Sequence, residues 1–204
     1  MAFFRYFGQC IELNIRNASS LSSVFIGGDT GHEIAYAFEP LSKYFPQLEV
    51  LYLRIPLGVL STQYNIGVEH LQLPLLTTLK VLELHIFGDH SFSLLGWTPL
   101  IEACVVLEKL IVKFDCYDIG LNGNITKRGG SPLKSLKTLE IFGYCGRRID
   151  IELATYVFEN AVNLQHVFVE VELMPYNVSP DSPIRISKLK EIIPEGVSFV
   201  LKES

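Results

Sequence analysis

The chain runs to 204 residues, of which 49% are apolar and 19% charged, with a formal net charge of −5 and a pI near 5.5. That balance excludes a disordered chain, which needs low hydrophobicity and high net charge. Its acidic sign speaks against nucleic acid as the main partner, because phosphate binding wants a basic face. The length suits one domain or one stacked array, 1–204.

From the start of the chain, residues 1–16 alternate apolar and polar side chains over enough length for a pair of strands. Cys10, Leu13 and Ile15 place one strand near 11–15, and Leu21, Val24 and Ile26 place the next near 22–26. Gly27-Gly28-Asp29-Thr30-Gly31 reads as a turn. It contains the Asp-Thr-Gly of aspartic proteases, but those need two carboxylates sharing a proton, and one copy stands here. Residues 33–45 predict a helix ended by Pro46, and a strand follows at 48–54. A long connection, 57–72, with a weak strand near 66–73, leads to the strongest strand, 79–86.

Thr98 is a candidate N-cap with Pro99 at the first helical position of a helix over 100–106, which feeds a strand at 107–113. Residues 118–132 form an exposed loop whose Lys127-Arg128 pair is a solvated tip. After the strand at 136–142, Asp150 caps a helix over 151–161 with Leu153, Val157 and Ala161 along one stripe. The strand at 164–170 precedes an irregular Pro/Ser segment, and a helix with a closing strand makes a C-terminal cap over 184–201.

Five of these strands share one pattern. Leu79-Lys80-Val81-Leu82-Glu83-Leu84 returns as Leu48/Leu51/Leu53, Leu107/Leu110/Val112, Leu136/Leu139/Ile141 and Leu164/Val167/Val169, with first positions at 48, 79, 107, 136 and 164. A near-fixed period in this range is the mark of stacked repeats, each burying its apolar face only against its neighbours. The fold expected is α/β: an irregular, right-handed leucine-rich-repeat solenoid with a parallel sheet on one side and short helices and loops on the other. No asparagine ladder is expected, since Pro56, Phe87, Asp115, Tyr144 and Glu172 occupy the usual asparagine position.

Side chains two apart on a strand share a face. The repeat leucines therefore turn inward, and the spacers between them line a concave outer face. Its candidate partner-binding residues are Tyr52, Arg54, Glu83, His85, Lys109, Lys113, Glu140, Phe142, His166, Phe168 and Glu170. Tyr, Phe and Arg are enriched where proteins meet, so an unknown protein ligand is the expected partner. An ordinary solvated sheet face is the bland alternative.

No catalytic motif rises above this pattern. The acids are scattered, and no Ser/His/Asp or Cys/His arrangement is present. His85 and His166 would bind metal only with a further ligand, and Cys10, Cys104, Cys116 and Cys145 have no zinc spacing. The expectation is a non-enzyme without metal or cofactor, its cysteines reduced core thiols. Residues 1–8 are too interrupted for a signal peptide. No apolar run approaches roughly 18 residues, so no membrane span is expected. A cytoplasmic or nuclear location follows.

Two longer stretches carry a resemblance. Leu79-Lys80-Val81-Leu82-Glu83-Leu84, with Leu100-Ile101-Glu102-Ala103-Cys104-Val105-Val106-Leu107-Glu108-Lys109-Leu110, resembles the "ACPxLEKL" turns of plant F-box/leucine-rich-repeat proteins, Val105 standing where those carry Pro. Asp150 through Leu164 resembles their "ELAxYLLENAVNLEK" segment, and Pro175-Tyr176, Ser182-Pro183 and Pro194-Glu195-Gly196-Val197-Ser198-Phe199 resemble the proline-rich stretch and closing strand. The nearest subgroup is the meiotic F-box type, related to the FBD group, over roughly 45–201. The resemblance implies the substrate-recognition repeats of a cullin-type ubiquitin ligase, in which an F-box grips the Skp adaptor. No F-box is read here, and Leu73-Pro74-Leu75 is a repeat lead-in, so Skp adaptor and cullin binding is not expected from these residues. A truncated, degenerate paralogue with only a structural role is the alternative.

Overall fold

The computed structural model describes residues 2–8, 18–28, 31–57, 73–88, 93–116, 125–171 and 182–203. The expected strand at 11–15, the weak strand near 66–73 apart from Leu73, the Asp29-Thr30 pair and most of the Pro/Ser segment lie outside them. Among the described residues eight strands form one open sheet: β1 (Ala2–Phe7), β2 (Leu21–Gly27), β3 (Val50–Leu57), β4 (Val81–Gly88), β5 (Lys109–Cys116), β6 (Thr138–Tyr144), β7 (His166–Val171) and β8 (Ser198–Glu203). Their spatial order is their sequence order, and every pair is parallel. Among the described residues four α-helices accompany them: α1 (Gly31–Leu41), α2 (Thr98–Ala103), α3 (Arg148–Asn160) and α4 (Ser182–Ile192). Short 3-10 turns lie at Ser42–Gln47 and Leu94–Trp97. A parallel sheet growing one rung at a time is a solenoid-like arrangement.

The register follows the repeat. Leu51, Leu82, Leu110, Leu139 and Val167 pair in one row, and Leu53, Leu84, Val112, Ile141 and Val169 in the next. All ten are buried, each contributing on the order of 2 kcal/mol through the area it removes from water. Slipping one strand by a single residue would turn its whole apolar set outward, so these rows fix the stacking.

The first leucine of each repeat has a different job. Leu48, Leu107, Leu136 and Leu164 are buried but precede their strands, and their amides close turns onto Phe45, Cys104, Leu133 and Ala161 carbonyls. The strands therefore begin two residues later than the pattern predicts. Just ahead of these leucines, polar side chains reach back one rung. Gln47 donates to the Ala18 carbonyl, Thr78 to Leu48, Ser135 to Val105 and Asn163 to Lys134. This ladder performs the turn-satisfying task that an asparagine ladder performs elsewhere, and Val106 is its gap.

Several local expectations are corrected. The helix after β2 ends at Leu41, and Pro46 sits inside the 3-10 turn that follows it. Thr98 is buried and donates to the Leu95 carbonyl, so it is not an accepting N-cap. Asp150 is not the cap of α3: Arg147 is the N-cap residue, and Asp150 lies at N3, where its carboxylate accepts the Arg147 amide from within the first turn. Nor is Lys127-Arg128 a free tip. Lys127 pairs with Glu159 at 2.7 Å, and Arg128 donates to the Leu95 carbonyl. The amide of Thr126 donates to the buried Glu152 carboxylate, which also accepts the Ser93 hydroxyl. Residues 126–133 are thereby strapped along α3.

Candidate functional site

Opposite the leucine rows, the spacers form an open face. One row reads Arg5, Phe25, Tyr52, Glu83, Ile111, Glu140, Phe168, Val200, all Cα partners across neighbouring strands. The next reads Phe7, Gly27, Arg54, His85, Lys113, Phe142. Every sequence-predicted site residue lies on this face. Lys109 and His166 belong to a third row with Val50, Val81 and Thr138. Glu170 lies beyond Phe168 on β7 and faces Lys202 of β8.

The centre of the face is an ionic lattice between rungs. Lys113 Nζ lies 2.6 Å from Glu83, and Lys109 Nζ lies 2.8 Å from Glu140; both pairs run diagonally between adjacent strands. Lys202 closes on Glu170 at 3.0 Å. Pairs this exposed contribute little each, about 0.2–1 kcal/mol, but they hold long side chains in fixed positions. Toward β7 the face turns aromatic. The Phe142 and Phe168 rings lie 5.4 Å apart, and the Lys113 ammonium is 5.9 Å from the Phe142 centroid. Where β6 passes Glu170, an extra residue breaks the register, and Gly143 takes φ +70°, a left-handed conformation that glycine adopts without strain.

The β1–β4 end is built differently. The Arg54 guanidinium sits 3.6 Å over the Phe87 ring and 5.3 Å from the Phe7 centroid. It reaches Phe7 across Gly27: a Cβ there would stand 3.0 Å from Arg54 Cβ and 3.1 Å from the rings of Phe7 and Phe25. Arg5 lies over Phe25 at 4.9 Å, and Phe3 meets Tyr52 edge-on at 6.4 Å. Phe3 and Phe7 stay 59% and 49% exposed, far more than aromatic side chains in a core. None of Phe3, Arg5, Phe7, Phe25 and Phe87 figured in the sequence-predicted set. Phe25 and Phe87 fall at the same even spacing as their neighbours and were legible from it. Phe3, Arg5 and Phe7 were not, because β1 lies outside the leucine pattern.

His85 stands between Arg54 and Lys113, with Asp115 at 4.0 Å. Burial lowers its pKa below the usual histidine value, assisted by Arg54 and Lys113 and opposed by Asp115 and Glu83. His166 is three strands away, in another row, so the two histidines do not converge. No group of three metal-ligating side chains comes together among the described residues, and no helix of the described residues is long and apolar enough to cross a membrane. Cys104 is a free thiol, and the Cys145 thiol donates to the Gly143 carbonyl. Cys104 is buried, donates to the Leu100 carbonyl, and is pushed well above the usual thiol range by desolvation.

The FBD family model matches residues 131–167. That segment contains the Ser135 rung of the turn ladder, β6, α3 and the first residues of β7. The match supports an FBD-related, F-box-associated protein with an interaction role. No curated protein and no solved structure matches the chain.

Proposed function

We propose that the chain is a non-enzymatic protein–protein interaction module whose open sheet face takes a protein ligand, as the substrate-recognition repeats of an F-box ubiquitin-ligase subunit do. One observation carries this reading: aromatic and charged side chains recur in register along the open face, immobilised by the ion pairs and ring contacts between rungs. Pre-ordered Tyr, Phe and Arg side chains lose little entropy on binding, and they are the residue types that dominate interface energetics. On the described face Glu83, Glu140 and Glu170 engage lysines and Asp115 faces His85, which suits recognition and gives no carboxylate pair for catalysis there.

A purely structural module is the second reading, favoured by the same ion pairs, since a lattice that neutralises itself needs no ligand. Affinity capture from native cell extract separates the two. Recognition predicts that Tyr52→Ala, Lys109→Glu and Phe142→Ala each reduce capture of a specific partner while the chain stays folded. Capture at parental strength by all three removes this face from the account. Recovery of the Skp adaptor in the same capture tests attachment to a ligase.

A further inference from the structure

Cations recur on the open face at alternate strands: Arg5 on β1, Arg54 on β3 and Lys113 on β5, with His85 on β4 between the last two. Each of the three lies against a ring: Phe25, Phe7 and Phe87, and Phe142 respectively. The open-face positions of β1, β2 and β3 include no acid. The described positions of this end thus carry two arginines and no acid, on a chain whose net charge is −5. A guanidinium carries its N–H donors in one plane, the geometry that suits a planar carboxylate.

We propose that this strip takes an extended acidic segment of a partner protein, lying across the strands, with successive carboxylates meeting Arg54 and Lys113. The proposal rests on the recognition reading and gives it a ligand chemistry. Neighbouring strands lie about 4.8 Å apart, which puts Arg54 and Lys113 on backbones about 10 Å apart. A polyproline-II segment advances about 3.1 Å per residue with three residues per turn, so side chains at i and i+3 share a face about 9.3 Å apart. The strip therefore selects Glu-x-x-Glu. Lys113 already holds Glu83, but an ammonium has three donors and accommodates a second carboxylate. Glu83 and Asp115 are the acids beside the strip. They count against a dense polyanion more than against a peptide with spaced charges, so a peptide is favoured over single-stranded nucleic acid, which aromatic platforms also stack.

Fluorescence anisotropy of the full chain tests this with three labelled probes: a synthetic peptide with Glu at every third residue, the same peptide with Gln, and oligothymidylate. The expected result is saturable binding of the Glu peptide that weakens with salt, with at least about tenfold loss for the Gln peptide. Arg54→Glu removes binding, Arg54→Lys weakens it, and Lys134→Glu, on a turn away from the face, leaves it unchanged. Circular dichroism confirms that each variant is folded. Equal binding of Glu and Gln peptides overturns the proposal, as does preferential binding of oligothymidylate. Absence of peptide binding also overturns it, and two further results then tell the claims apart. If the Tyr52, Lys109 and Phe142 variants still lose their cellular partner, recognition stands and only the acidic chemistry falls; if they capture at parental strength, both fall.

Discussion

Arg147 and Asp150 are a buried ion pair, 2% and 0% exposed, with Nε 3.0 Å from Oδ1. Asp150 also accepts the amides of Cys145 and Arg147, and Arg147 donates to the Gly143 carbonyl and lies 5.0 Å from the Phe114 ring. One pair thus joins the β6 bulge, the start of α3 and the inner face of β5. Breaking it leaves a buried charge and two unsatisfied amides, so Asp150→Ala is expected to cost about 3–5 kcal/mol. Arg147→Met with Asp150→Leu, which removes both charges, costs less than the single change. Denaturant unfolding of both variants checks the order.

His85 makes stability depend on pH. Its folded pKa is lowered from 6.5, mainly by burial. Between the lowered value and 6.5 the unfolded chain binds more protons than the folded one, so stability rises with pH there. The contribution is complete above about pH 6.5 and is lost as pH falls through the folded pKa. His85→Gln should flatten the acid side of the stability curve. By NMR titration His85 should have a midpoint below 6.5, moved lower still by Asp115→Asn, which deletes a charge that favours the imidazolium.

Tyr156 ties α3 to α2. Its hydroxyl donates to Glu102 at 2.7 Å, and burial with that neighbouring carboxylate raises its pKa above the usual tyrosine value. Gly130 lies against the ring tip, where a Cβ would stand 2.5 Å from the hydroxyl. Tyr156→Phe is expected to cost about 1–2 kcal/mol by orphaning the carboxylate. Gly130→Ala destabilises by displacing the ring and costs less in the Tyr156→Phe background, a coupling that a double-mutant cycle reads directly.

These cases show where the sequence speaks and where it stops. The five leucine hexads foretold five parallel rungs and which of their side chains face out, because a period of two leaves no freedom once one face is buried. Strand starts came two residues late because the first leucine serves the turn. β1 was covered only by the reading of a strand pair over 1–16, and its outward side chains were not singled out, because its apolar residues are aromatic and off the repeat spacing. The Arg54 shelf needed the register to bring Phe7, Gly27 and Phe87 around one guanidinium. Lys127, Arg128, Glu152 and Asp150 were misread or missed because their partners lie 3 to 59 residues away in sequence, across turns whose path no local pattern specifies.

Photo-crosslinking tests the central claim most directly. Benzoylphenylalanine is placed at Tyr52, on the open face, and separately at Val162, exposed on the turn before β7, and each chain is irradiated with its captured partner. The account predicts a covalent adduct from position 52 and none from position 162. An adduct from 162 with none from 52 would contradict it.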